Sequence, residues 1–273
     1  MADVGAILLC GGRSSRMGRA KAWLPWRGQP MAAHVAAVLA EVVDEIVVVS
    51  SDEVDPPALV SAARIVRDER PGVGPLGGLA TGLAHLEADL AFVTSTDAPF
   101  LTAEFIHCVL HAGREQGAAA PVVDGFVQTL AAAYPKRGAE VAGRLLDQGR
   151  RRPVELLEAL DYRPLSAESL PSLTPLRGFN TPGEYLAAVA DDAQDAYAAI
   201  EFVGRPRALA GCDRLDVPIG SLAEVLAHAP AALELCHGDR VAPSFIVSLD
   251  GRDLVRDTHV PIGPGERVIV LDA

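Results

Sequence analysis

Residues 9–21 read Leu-Cys-Gly-Gly-Arg-Ser-Ser-Arg-Met-Gly-Arg-Ala-Lys, directly after an apolar run at 6–10. Two adjacent glycines, Gly11 and Gly12, let the backbone approach a ligand and turn its N–H groups toward it. Arg16 and Lys21 add positive charge to the same segment. Amides, a guanidinium and an ammonium together suit a triphosphate. The run is not a Walker A loop, because no Gly-Lys-Ser/Thr closes it, and it is not Gly-x-Gly-x-x-Gly. Gly11-Gly12 alone would read as an ordinary tight turn; Ser15, Arg16, Gly18 and Lys21 tip the reading toward phosphate. Lysine usage points the same way. Of 24 basic residues only Lys21 and Lys136 are lysines. A lysine kept where arginine otherwise serves suggests a need for a compact ammonium rather than a planar fork.

Asp97 stands just past the apolar run 90–94. Ligands of parallel sheets gather outside the strand carboxyl ends. A carboxylate there can hold Mg²⁺ against phosphate oxygens, or it can form an Asx-turn before Pro99. Asp68 precedes Gly72, Gly74, Gly77 and Gly78 and reads equally as a turn residue. Arg150, Arg151 and Arg152 precede Pro153; they could meet an anionic group or form a solvated charge run. His34, His85, His107 and His111 fall in helical segments and read as packing or surface residues, so no catalytic histidine stands out. The four cysteines are far apart and form no Cys-x-x-Cys pair, which disfavours structural zinc and suggests reduced, mostly buried thiols.

The elements that must position these residues alternate. Apolar runs at 6–10, 46–49, 64–66 and 90–94 read as strands. Helical spacing marks 30–42 and 79–86, and Thr102 caps a helix over 103–112. Two strand-like runs lie between 118 and 134, separated by Asp124-Gly125, and helices are expected at 139–146 and 153–160. A looser stretch holds Pro164, Pro171 and Pro175, and Pro182 opens a helix after Thr181. Alternating strands and helices with fully apolar strands imply a mostly parallel α/β sheet with helices on both faces. A boundary is expected near 191–199. Beyond it, runs at 200–203 and 215–217 look like paired strands, Ser221 caps a helix at 222–227, and 245–249 and 268–271 are further strands. That order predicts a small α+β unit of β-grasp type, giving domains at 1–193 and 198–273.

Composition sets the outer limits. The chain has 273 residues, 49% hydrophobic and 22% charged, with net charge −12. Such a balance buries a real core and excludes disorder over most of the chain. The acidic excess speaks against nucleic-acid or anionic-membrane binding. No run approaches the roughly 18 apolar residues of a membrane span, and a cytoplasmic protein is expected.

The motifs carry a resemblance. Residues 9–21 resemble the signature of the molybdenum cofactor guanylyltransferase family, as do Gly28-Gln29-Pro30, His34, Asp68 with Gly74-Pro75-Leu76-Gly77-Gly78-Leu79, Thr96-Asp97-Ala98-Pro99-Phe100-Leu101, Gln128-Thr129-Leu130 and Asn180-Thr181-Pro182-Gly183-Glu184. The ordered set covers about the first 190 residues. A Gly-Gly rather than Ala-Gly start leans toward guanylyl over cytidylyl transfer. The resemblance implies a Rossmann-like fold and Mg²⁺-dependent transfer of GMP from GTP to the phosphate of molybdopterin, or of the molybdenum cofactor, with release of pyrophosphate. It implies Lys21, Arg16 and Asp97 as catalytic residues, with Asp97 as metal ligand. Leu9, Cys10, Gly11, Gly12, Lys21, Ser50, Asp68 and Asp97 would hold the nucleotide. Arg150, Arg151, Asn180 and Thr181 would face the acceptor. Gly178 departs from the family, whose members often carry a first asparagine there.

The C-terminal part is similar to the sulfur-carrier subunit of molybdopterin synthase, through 208–211, Pro218, 221–226 and 264–268. The chain ends Val270-Leu271-Asp272-Ala273 rather than Gly-Gly, so it is not expected to carry sulfur; the expected role is docking or dimerisation, with molybdenum cofactor synthesis or insertion proteins as candidate partners. Competing readings are a cytidylyl or sugar-phosphate transferase and a non-catalytic scaffold that binds nucleotide or cofactor.

Overall fold

The computed structural model describes residues 3–11, 16–52, 54–193 and 196–273. The chain forms two compact units, one of 1–13 with 31–178 and the other of 14–30 with 179–273.

The first unit is built on one large sheet. Its strands are β1 (Val4–Cys10), β2 (Ile46–Ser50), β3 (Ala63–Arg67), β4 (Leu90–Ser95), β5 (Ala119–Val123), β6 (Ala131–Pro135) and β7 (Arg163–Ser166). Their spatial order is β7-β5-β6-β4-β1-β2-β3, with the short strand Phe126–Val127 added to β5. Neighbours run parallel except at β6, which is antiparallel to both β4 and β5, and at the short strand, which is antiparallel to β5. Helices are α1 (Met31–Ala40), α2 (Pro75–His85), α3 (Ala103–Gln116), α4 (Gly138–Asp147) and α5 (Pro153–Ala159). Side chains of a strand alternate between faces. Ile7 and Leu9 of β1 and Val93 of β4 share a core with Leu79 and Leu83 of α2, Leu145 of α4 and Leu157 of α5. Phe92 points the other way and meets Phe105 of α3 edge-on, with ring centroids 6.4 Å apart. The parallel-rich α/β sheet with helices on both faces is therefore present.

Three expectations need correction. The second helix begins at Pro75, four residues before the expected start. Gly77 and Gly78 precede the expected helix yet lie within α2, and Gly78 and Gly82 let it lie close to β1. A Cβ on Gly82 would stand 2.6 Å from Ile7 Cγ2. The stretch around Pro164 is not loose: it forms edge strand β7, parallel to β5, and a sheet edge is where proline is tolerated. Nor are the thiols mostly buried. Cys10 is, whereas Cys108 and Cys212 are half-buried and Cys236 is exposed.

The second unit opens its C-terminal part with α6 (Pro182–Asp192), held by a capping box in which Thr181 Oγ1 accepts from Glu184 N and Glu184 Oε2 accepts from Thr181 N. Then follow β8 (Tyr197–Phe202), α7 (Arg205–Ala210), β9 (Arg214–Pro218), α8 (Leu222–Leu226), β10 (Phe245–Leu249), β11 (Asp253–Val255) and β12 (Arg267–Asp272). The sheet order is β9-β8-β12-β10-β11. The first and last strands, β8 and β12, lie parallel at its centre, and every other pairing is antiparallel. Ile200 pairs with Leu215, as the sequence suggested. Ile200, Val225, Val247 and Val268 form its core.

Candidate active site

Parallel register brings the expected nucleotide residues of the first unit to one edge. Cys10 pairs with Ser50, Ser50 with Arg67, and Leu9 with Ser95. Leu9, Cys10, Ser50, Arg67 and Ser95 therefore line the carboxyl ends of four adjacent strands. Gly11 continues this edge exposed, and a Cβ there would stand 3.3 Å from the Ser51 amide. Cys10 is buried, and burial pushes its thiol up to about 12, so its contribution to the edge is backbone. Gly12 and the Arg13, Ser14 and Ser15 that follow it lie outside the described residues.

Ser50 is fully buried, and its Oγ accepts from Arg67 at 3.1 Å. Arg67 also donates to the carbonyls of Ser51 and Val54 and pairs with Asp55 at 2.5 Å. The Ser50 hydroxyl thus serves to hold Arg67 in this structure. Asp68 follows, its amide bonded to the Ser50 carbonyl. Asp68 Oδ1 accepts from the Arg70 amide at 2.9 Å and from Thr81 Oγ1 at 3.3 Å. The turn reading of Asp68 is thus correct for one carboxylate oxygen; a base contact would use the other.

Asp97 is half-buried immediately beyond β4, and its Oδ1 accepts a short hydrogen bond from Ser95 Oγ. Sequence reasoning missed Ser95; its only signal is its place two residues ahead of Asp97 on the same strand end. Gly178 passes against this segment so closely that a Cβ would stand 2.7 Å from the Asp97 carbonyl oxygen. The departure from asparagine at 178 thus has a local steric reason. Nearby, Arg177 stacks on Phe100 at 4.9 Å. Among the described residues no group of three or more His, Cys, Asp or Glu side chains converges. A hard, half-exposed carboxylate fits Mg²⁺ in the way such ions bind nucleotides, through one or two carboxylates with phosphate oxygens and water completing the shell.

Lys21 belongs to the second unit, where it opens the one-turn helix Lys21–Trp23. Its Nζ donates to the Phe179 carbonyl at 2.7 Å and to Asn180 Oδ1 at 3.2 Å, and lies 5.5 Å from the Phe179 ring centroid. Asn180, expected on the acceptor side, is fixed by its amide bond to Glu184 Oε2 and holds the lysine. Thr181 caps α6. Arg16 is exposed in the turn ahead of Gly18. Arg150 pairs with Glu155 at 3.0 Å, which lowers the Glu155 pKa, and Arg151 is exposed. His34 is buried with Nε2 3.0 Å from the Pro99 carbonyl, and His107 and His111 are exposed on α3.

A parallel-rich α/β sheet with Asp68 and Asp97 just beyond its strand ends has the architecture that takes ligands at the strand carboxyl ends. The MobA-like NTP transferase domain matches residues 6–163, and the chain belongs to that family of nucleotidyltransferases. It is 31% identical over 196 residues, 70% of this chain and 98% of the relative, to a probable molybdenum cofactor guanylyltransferase of Bacillus cereus. Among solved structures it is similar to the molybdopterin-guanine dinucleotide biosynthesis protein A of Archaeoglobus fulgidus, with TM-score 0.59, 23% identity, and coverage of 70% of this chain and 100% of that one. It also resembles the 2-C-methyl-D-erythritol 4-phosphate cytidylyltransferase of Thermus thermophilus, with TM-score 0.54 and 18% identity over 67% of this chain and 96% of that one; both structural likenesses concern the fold. No helix among the described residues is long and apolar enough to cross a membrane.

Proposed function

We propose that this nucleotidyltransferase transfers GMP from GTP to the terminal phosphate of molybdopterin or of the molybdenum cofactor. The observation that carries the reading is the strand-end row of Leu9, Cys10, Ser50 and Ser95 with Asp68 and Asp97 just beyond it. The curated relative at 31% identity, named for this activity, supports the choice of substrates. In the reaction an oxygen of the acceptor phosphate attacks the α-phosphorus of GTP. A new P–O bond forms, the bond to the bridging oxygen breaks, and pyrophosphate leaves with that electron pair. The attacking phosphate is already anionic, so the protein's task is positioning and charge neutralisation. Backbone amides around Gly11 and Gly12 cradle the triphosphate. Lys21 and Arg16 stabilise charge that builds on it. Asp68 accepts from the guanine N1 and N2 donors. Asp97 would hold Mg²⁺, which would offset phosphate charge. Arg150, Arg151, Asn180 and Thr181 remain the proposed acceptor side. Residues 1–193 are the proposed transferase domain and 198–273 a β-grasp domain; the parallel pairing of β8 with β12 supports the latter.

The test is pyrophosphate release with GTP, Mg²⁺ and the pterin acceptor. Lys21→Ala and Asp97→Ala are each expected to lower kcat by about 10²–10³-fold, the usual effect of removing one charge-stabilising group. Unchanged turnover in both variants defeats the mechanism. Turnover with CTP in place of GTP would keep the chemistry and change the product.

A further inference from the structure

The segment that carries Lys21 is fastened, on both sides of the lysine, to residues far along the chain. Arg19 NH1 meets Glu266 Oε1 at 2.5 Å, with side-chain exposures of 7% and 2%. Glu266 Oε2 accepts from the Gly263 amide at 2.7 Å, and Arg19 also reaches the Pro261 carbonyl. One residue earlier, Gly18 lies so near Val260 that a Cβ would stand 3.0 Å from its Cγ2. Downstream, Arg252 stacks on Trp23 at 4.4 Å, and Tyr185 Oη donates to the Pro25 carbonyl at 2.7 Å. The turn 260–266 thus forms a bed for residues 18–25, with a buried ion pair two residues from Lys21. A buried carboxylate is tolerated only when a charge partner and hydrogen bonds satisfy it. Glu266 has both, and both fix the same place.

We propose that Glu266 and Arg19 are positioning residues for Lys21. The turn before the last strand, which lies beyond the 6–163 family match, sets the lysine's backbone and so aims its ammonium. The kinetic side of this proposal rests on the transferase reading above; the positioning side does not. An ammonium aimed by a fixed backbone costs no reorganisation when phosphate charge develops. If the aim is lost, the residue remains and its effect falls.

The chain's two lysines, Lys21 and Lys136, make the test clean. Amine acylation followed by peptide mass spectrometry reads each separately, with or without activity. In full-length Glu266→Gln, Lys21 is expected to label at least threefold faster than in the parent, with Lys136 unchanged. The Arg19→Met/Glu266→Met double variant removes the pair without leaving a lone buried charge, so it stays readable if the single variant folds poorly. It should show the same faster labelling of Lys21. In turnover, Glu266→Gln is expected to lose at least tenfold in kcat with little change in the KM for GTP, and to add nothing in a Lys21→Ala background. A folded variant whose Lys21 labels at the parental rate overturns the proposal, as does an equal kcat loss with and without Lys21. A fully active Lys21→Ala enzyme would instead overturn the transferase mechanism and leave the labelling result to stand.

Discussion

Asp97 and Cys10 show how single residues acquire roles that their types alone do not give. Asp97 has the Ser95 hydroxyl on Oδ1, a hydrogen bond that fixes its rotamer. Two residues at one strand end thus make an oriented carboxylate where an isolated Asp would swing. Cys10 is the converse case. It sits in the strand that leads to the glycines, yet its thiol is buried and pushed up to about 12. The folded protein keeps this proton at pH values where the unfolded chain, near 9, has lost it. Stability from this group is therefore complete below pH 9 and is lost as pH rises toward 12. At pH 10.5 the loss from Cys10 amounts to about 2 kcal/mol. Urea unfolding at pH 8 and 10.5 should show a smaller pH-linked drop for Cys10→Ala than for the parent. The buried phenols of Tyr134 and Tyr185 and the thiols of Cys108 and Cys236, also raised, add to the alkaline fall in both proteins. Equal drops in the two proteins would mean that the thiol is not protected as described.

At the scale of elements, what could be read from the sequence was whatever local chemistry dictates. The fully buried strands announce themselves as apolar runs, and Thr102, Thr181 and Ser221 each cap a helix where a cap was expected. The paired residues of β8 and β9 were legible for the same reason. What stayed hidden depends on distant partners. Gly77 and Gly78 give no local sign that they belong to α2, and nothing local reveals β1 lying against Gly78 and Gly82. Strand β7 was obscured by Pro164, and the Arg19–Glu266 pair spans 247 positions. Contacts at the candidate site divide the same way: the place of Asp97 just past the end of β4 was legible, whereas the hydrogen bond from Lys21 to Asn180 was not. Gly178 belongs with the hidden contacts, and it yields a prediction. A Cβ at 2.7 Å from the Asp97 carbonyl forces one of the two loop segments to shift. Gly178→Ala should cost about 1–3 kcal/mol, as overpacking does, and should lower turnover further by moving Asp97. Gly183, exposed in the first turn of α6 with nothing within 4 Å, is the control; Gly183→Ala should stay within about 0.5 kcal/mol of the parent. Chemical denaturation and pyrophosphate release, measured on the same preparations, separate the two effects. A Gly178→Ala enzyme as stable and active as the control would show that the approach to Asp97 carries no constraint.

On the scale of the whole molecule, a chain of net charge −12 is proposed to bind a polyanion. Long-range attraction cannot supply that binding, since the overall field repels the ligand. It must come from short-range groups: amides at the strand-to-loop turn, a few cations, and a metal that cancels ligand charge. Nucleotide binding should therefore be strongly Mg²⁺-dependent and should discriminate between bases, because base contacts carry a large share of the selectivity once charge is offset. Thermal unfolding measures this directly. A ligand that binds only the folded state at 100 times its dissociation constant stabilises it by about 2.7 kcal/mol, enough to raise Tm by several degrees. GTP with Mg²⁺ is expected to give that rise, with CTP, ATP and UTP well below it. Without Mg²⁺ the GTP rise should shrink. Asp68→Asn should reduce the preference for GTP more than it reduces the response to the other nucleotides, because the amide oxygen would keep the Arg70 and Thr81 contacts and an NH2, which cannot accept, would face the guanine donors. A larger rise with CTP would reassign the base while leaving the transferase chemistry intact. Four flat responses that stay flat when the pterin acceptor is added would remove nucleotide binding from the function altogether, and the strand-end row would then have to be explained as structure alone.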